Sequence, residues 1–100
     1  MRNAYPVIFT KTDTVALVEV PDLNIFTEGT NMADAIFMAR DAIGLNGISI
    51  EDTGENIPAP SRIEDMDIAK GTFAAEGKSY LSMVDIDFSE YRRRNDNKTV

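Results

Sequence analysis

TNMADAIFMARDAIGLNG, residues 30–47, carries the end signals and the apolar stripe of one amphipathic helix. Asn31 is a good N-cap, and Asp34 sits three residues on, where a short acid can reach back as in a capping box. Met32, Ala35, Ile36, Ala39 and Ile43 recur at spacings of three and four, the stripe of a helix resting on something flat. Phe37 and Met38 flank that stripe, and Asp34, Arg40 and Asp41 face outward. Asn46-Gly47 supplies the stop, because Gly accepts the left-handed conformation that ends many helices.

Three strand-like runs precede this helix. Tyr5–Lys11, YPVIFTK, is apolar on both faces, and Pro6, unable to donate a ladder hydrogen bond, belongs at its start or on an edge. Thr12-Asp13 reads as a hairpin turn. Thr14–Val20, TVALVEV, alternates Ala16, Val18 and Val20 against Val15, Leu17 and Glu19, and Pro21-Asp22 ends it. Leu23–Glu28 is the third strand, and Gly29 turns into the helix. Short turns between three strands predict an antiparallel meander.

After the helix, residues 48–61 read as an acidic loop with Glu51, Asp52 and Glu55, closed by Ile57-Pro58-Ala59-Pro60-Ser61. Ser61 is placed to cap a short helix over RIEDMDI, with Glu64 as its reciprocal partner. Residues 71–77 are irregular. Lys78–Phe88 is a fourth strand that adds to the sheet. The expected fold is α+β: a three-stranded antiparallel meander and a fourth strand packed on one main helix, in the order β-β-β-α-(short α)-β. Residues 1–88 form that domain. Residues 89–100, SEYRRRNDNKTV, are polar and unpatterned and read as a linker or frayed terminus.

Composition removes most chemistry. One hundred residues make one domain with a thin core. Cysteine and histidine are both absent, so disulfides, thiolate metal sites, cysteine nucleophiles and imidazole bases are excluded. No apolar run approaches the roughly 20 residues of a membrane span, and the N-terminus lacks a signal-peptide core, which points to the cytoplasm. Residues 1–90 hold 16 acidic and 6 basic side chains, a net −10, whereas residues 91–100 carry a net +3. An acidic body of this kind repels nucleic acid and attracts a basic partner.

Carboxylates are the remaining catalytic option. Asp85 and Asp87 share one face of the fourth strand, and Asp13, Glu19 or Asp22 could approach across the sheet to hold magnesium, as in RNase H-like nucleases. Such acids equally serve to shield a strand edge with charge. Arg92-Arg93-Arg94 is a weak nucleic-acid signal beside the reading of a solvated terminus. No cofactor motif is present.

Several segments, taken in order, resemble HicB antitoxins of bacterial toxin–antitoxin pairs. They are Tyr5-Pro6-Val7-Ile8-Phe9, then Val20-Pro21-Asp22-Leu23, and then Phe26-Thr27-Glu28-Gly29-Thr30 running into the helix start. Ile57-Pro58-Ala59-Pro60-Ser61 follows, and last comes Tyr80-Leu81 to Val84-Asp85-Ile86-Asp87. The turn after Leu23 lacks the family's usual P-G pair. The resemblance implies a partial RNase H-like fold without nuclease activity. It implies a small basic HicA toxin, an mRNA-cleaving protein, whose active surface the antitoxin covers. It also implies a C-terminal DNA-binding segment that lets the pair repress its own operon. Only NDNKTV stands where that segment would begin, so the chain is expected to be the N-terminal domain of a longer protein or a cleaved product.

The partner-facing candidates are the acids Asp22, Glu28, Asp85 and Asp87 for charge, with Phe26 and Phe37, and also Tyr80, as apolar anchors. A homodimer or higher homo-oligomer is expected, paired through an exposed strand edge and the Phe37-Met38 face. The competing readings are such a dimerisation module without a toxin ligand, and a magnesium-dependent nuclease.

Overall fold

The computed structural model describes residues 2–96. The meander forms as expected: β1 (Arg2–Lys11), β2 (Ala16–Val20) and β3 (Ile25–Gly29) lead into α1 (Met32–Asp52). A long connection leads to β4 (Lys78–Asp87) and α2 (Phe88–Asp96). The fold is α+β, with one antiparallel sheet in the order β3-β2-β1-β4. Among the described residues no helix is long and apolar enough to cross a membrane.

The inner face of the sheet carries Tyr5, Val7, Phe9, Val18, Val20 and Val84, all buried against Ala35, Ala39 and Ile43 of α1. Ile36 was expected in that stripe but is 37% exposed. Small alanines let α1 lie close to the sheet, and the narrower contact leaves Ile36 on its rim. The start of α1 is capped as read, with Asn31 Oδ1 accepting from Asp34 N–H at 2.9 Å. The reciprocal bond lands one residue earlier than in a capping box, from Thr30 N–H to Asp34 Oδ2 at 2.8 Å.

The stop at Gly47 is corrected. The helix runs on to Asp52, and Gly54, at φ +84, takes the left-handed position that ends it. Gly44 and Gly47 are instead where α2 approaches. A Cβ on Gly44 would fall 2.6 Å from the Tyr91 ring, and one on Gly47 would overlap the Phe88 ring.

The tail is corrected with it. Phe88–Asp96 is a helix rather than an unpatterned linker. Asp87 Oδ1 accepts from the N–H groups of Ser89 (3.1 Å) and Glu90 (3.3 Å), which caps its first turn. Arg92 reaches the far end of α1, bonding Glu51 at 3.2 Å, Asp52 at 3.0 Å and the Ile48 carbonyl, where the helix dipole favours a cation. Residues 97–100 of the expected linker lie outside the described residues.

Pro6 was expected at a strand start or edge, yet it lies inside β1, between β2 and β4. It is tolerated because β2 pairs with β1 only over Ile8–Lys11, while β4 pairs along all of β1, from Arg2↔Asp87 to Lys11↔Lys78. An antiparallel ladder alternates residues that exchange both N–H···O bonds with residues that exchange none. Pro6 has no N–H, so Pro6↔Met83 is a pair of the second kind. So are the alternate pairs Ala4↔Asp85, Ile8↔Leu81 and Thr10↔Ser79. Side chains approach most closely in such pairs, and Thr10 Oγ1 lies 2.8 Å from Ser79 Oγ. On β4, therefore, Ser79, Leu81, Met83 and Asp85 turn their N–H and C=O groups to the open edge. Arg40 Nε, donating to the Asp85 carbonyl at 3.0 Å, reaches that edge from α1.

The connection from residue 53 to 77 forms a third layer. Pro58 O accepts from the buried Tyr5 hydroxyl at 2.7 Å. Beyond Ser61 the chain crosses the outer face of the sheet and covers Ile8, which is buried beside Gly71. The expected short helix over 62–68 is absent; single 3-10 turns form at Ile63–Asp65 and Ile68–Lys70. Ser61 does not cap it, because its N–H (2.7 Å) and hydroxyl (2.5 Å) both bond the Asp22 carboxylate. Glu64 pairs with Arg62 instead. A helix this short does not outweigh its nucleation cost without a cap.

Candidate partner-binding surfaces

The six expected contact residues fall into three places. Phe26 and Glu28 lie two residues apart on β3, on the outer face. Phe26 is 48% exposed and meets Phe73 edge to face, with ring centres 5.9 Å apart. Phe73 is held there by its neighbour Thr72, whose N–H (2.8 Å) and hydroxyl (3.0 Å) both bond Glu19, the β2 residue paired with Phe26. The result is an aromatic pair on a pinned backbone, with the exposed Glu28 beside it. Asp22 stands apart as the latch for Ser61.

Phe37, Asp85 and Asp87 come together in a groove of about 390 Å³ between α1, the end of β4 and α2, over Ile86 and Tyr91. Phe37 is 62% exposed at its rim. Asp85 is bridged by Arg40 Nη2 at 3.1 Å and Arg2 Nη1 at 3.2 Å. The Arg40 hydrogen bond, above all, holds its carboxyl below the usual carboxylate range. Asp87 is lowered too, chiefly by the Glu90 N–H it caps. Tyr91 donates to Asp41 Oδ1 at 2.7 Å, and burial pushes its hydroxyl up, with the Asp41 bond adding to the effect.

Tyr80, the third expected anchor, is half exposed on β4, away from both clusters. The acids proposed for magnesium do not converge. Glu19 on β2 and Asp22 in the turn after it are bonded to Thr72 and Ser61 of the long connection, and Asp85 is bridged by two arginines. Among the described residues no three His, Cys, Asp or Glu side chains are grouped to hold a metal ion. The arginine run is engaged as well: Arg92 clamps α1, and Arg93 and Arg94 both pair with Glu90.

Sequence reading missed Phe73 and the packing of Tyr91. Nothing in the spacing of residues 71–77 marks Phe73. The Tyr91 packing had a signal: Phe88 and Tyr91 stand three apart behind an Asp cap, matching Gly44 and Gly47 three apart on α1.

This four-stranded antiparallel sheet with two helices is shared with a chain of the toxin–antitoxin complex from Streptococcus pneumoniae. The TM-score is 0.78 at 24% identity, covering 91% of this chain and 73% of that one. No curated protein matches. A family model, the HicB-like antitoxin of bacterial toxin–antitoxin systems, matches residues 5–100, and the chain belongs to that family.

Proposed function

We propose that this antitoxin neutralises a small basic toxin of the HicA type, an mRNA-cleaving protein, by covering its active surface. The observation that carries the reading is the Phe26–Phe73 pair on the outer face, beside Glu28, in a body with 16 acids and 6 bases over residues 1–90. An exposed aromatic anchor on a pinned backbone limits the entropy lost on binding, and the surrounding acids steer a basic partner. Phe26 and Glu28 form the first contact patch, and Asp22, which stands apart from it, adds to the acidic field that draws the partner in. The groove at Phe37, Asp85 and Asp87 is the second. The partial RNase H-like relationship rests on the β1-β2-β3-α1 order. In a longer form of the protein, a DNA-binding segment beyond residues 89–100 would let the complex repress its own operon.

The test is capture of a HicA-type toxin by the purified chain, with mRNA cleavage as the readout. Binding that stops cleavage and weakens as salt rises is expected. Undiminished cleavage with antitoxin in excess at low salt overturns the reading.

A further inference from the structure

The long connection leaves a cavity of about 260 Å³ where it crosses the outer face of the sheet. Ile8, Glu19 and Phe26 are successive cross-strand partners on β1, β2 and β3, and they make one row along that face. The Phe26–Phe73 pair stands at the end of the row, and the cavity has Ile8 and Glu19 in its wall. The segment that roofs it is pinned on both sides. Asp22 holds Ser61 before it, and Glu19 holds Thr72 after it. The cavity is therefore formed before any partner arrives.

Its lining divides by chemistry. Ile8, Pro21 and Met66 are apolar, while Glu19, Asp65 and Asp67 set three carboxylates against one cation, Lys70. The chain uses the three acids unequally. Both oxygens of Glu19 bond Thr72, and Asp67 Oδ1 accepts from Ala69 N–H at 3.0 Å. The Asp65 carboxylate has no partner among the described residues, and Lys70 pairs with none of the three. Acids elsewhere in the chain, such as Glu51, Asp52, Asp85 and Glu90, are each met by an arginine.

We propose, resting on the basic partner inferred above, that this cavity receives one long basic side chain of the toxin, an arginine or a lysine. It is a further point of attachment beside Phe26. Such a side chain is apolar along its stem and charged at its head. The stem lies against Ile8, Pro21 and Met66, and the flexible Met66 adapts to it. The head meets Asp65. A purely apolar occupant would strand that carboxylate away from water, and an anion would face three carboxylates for one ammonium. Only a cation on an apolar stem suits both the floor and the rim. An mRNA-cleaving protein grips phosphates with basic side chains, so one held here is withdrawn from its RNA.

Two measurements test this, one on the chain alone and one on the complex. In the first, methyl NMR follows Ile8 and Met66 while the purified chain is titrated with N-acetyl-arginine amide, N-acetyl-lysine amide, or their citrulline and glutamate counterparts. A basic probe should shift both residues and saturate with a Kd of about 1–10 mM, an affinity suited to a single side chain. Citrulline, close to arginine in shape but uncharged, should leave them unmoved, as should glutamate. Asp65→Asn should abolish the response. No shift with either basic probe up to about 50 mM, an equal shift with citrulline, or a shift with glutamate overturns the proposal. In the second, calorimetry compares a HicA-type toxin bound by wild type, Asp65→Asn and Asp13→Asn. Asp13, between β1 and β2, is also unbonded among the described residues, so its variant loses the same charge away from the cavity. Asp65→Asn should weaken the complex about tenfold, and Asp13→Asn less than about twofold. Equal losses overturn the cavity's role and leave the toxin reading intact. A toxin that does not bind, with arginine still held by the free chain, overturns the partner and supports the cavity's chemistry.

Discussion

Gly47 of α1 lies against the Phe88 ring so closely that a single methyl group at 47 would overlap it. That ring is itself held edge to face by the buried Tyr5, 6.4 Å away between centres. Neither side has room to move. Gly47→Ala gains about 1 kcal/mol of helix propensity but overpacks at a cost of about 1–3 kcal/mol. A net loss of about 1 kcal/mol is expected, a fall in Tm of roughly 4–8 °C for a domain of this size. Ser49→Ala, on the exposed side of the same helix, should raise Tm slightly. A Gly47→Ala protein as stable as wild type would show that α2 does not dock as described.

The latch between Asp22 and Ser61 ties the third layer to the end of β2. Asp22→Ala removes both bonds at a partly exposed site, for a loss of about 1 kcal/mol. The larger expected effect is local. Amides from 61 to 76 should exchange faster and the segment should become open to protease, while β1 and α1 keep their protection. Unchanged exchange in that segment would show that its packing over Ile8 suffices without the latch.

Acid stability should report the arginine bridge. The Asp85 carboxyl is held below its ordinary range chiefly by Arg40, and Glu90 is lowered chiefly by Arg93. A depressed folded pKa stabilises fully above the unfolded value, and the stabilisation is lost as pH falls through the folded one. Stability should therefore be flat from neutrality to about pH 5 and decline below about pH 4. Arg40→Met should move the Asp85 titration, followed by carboxyl NMR, up toward the ordinary range and shrink the acid slope. An Asp85 that titrates normally in the wild type contradicts the bridge.

Toxin binding should separate anchor from steering. Phe26→Ala is expected to weaken the complex by about 10–100-fold through faster dissociation. Glu28→Lys should act mainly on the association rate, and its effect should shrink as salt rises. Full affinity in Phe26→Ala would move the contact to the Phe37 groove.

Where hydrophobic period and turn chemistry act alone, the sequence was a sufficient guide. The meander, the Asn31 cap and the span of β4 needed nothing else. It misled where a residue answers to a distant neighbour. Gly47 has the chemistry of a helix stop, but its role is set by Phe88, 41 positions further on. Ser61 and Glu64 spell a capping box, yet Asp22 competes for the serine and wins with two short bonds to a charged acceptor. Of the expected contact residues, Phe26, Glu28 and Phe37 were recognisable as exposed apolar and acidic groups on regular elements. Phe73, which completes the Phe26 pair, sits in a stretch with no period and is placed by Glu19's hold on Thr72.

Pro6 carries one more consequence. A one-residue slip in the β1–β4 pairing needs one of the two strands to turn over: turning β1 sets the proline where the ladder demands a donor, and turning β4 moves Val84 and Ile86 from the core to the solvent side. Either way of making the error carries a penalty. The imino acid on one strand and the apolar pair on the other thus act together as a check on alignment while the chain folds: the last strand, arriving after a long excursion, can settle in the correct phase or be rejected.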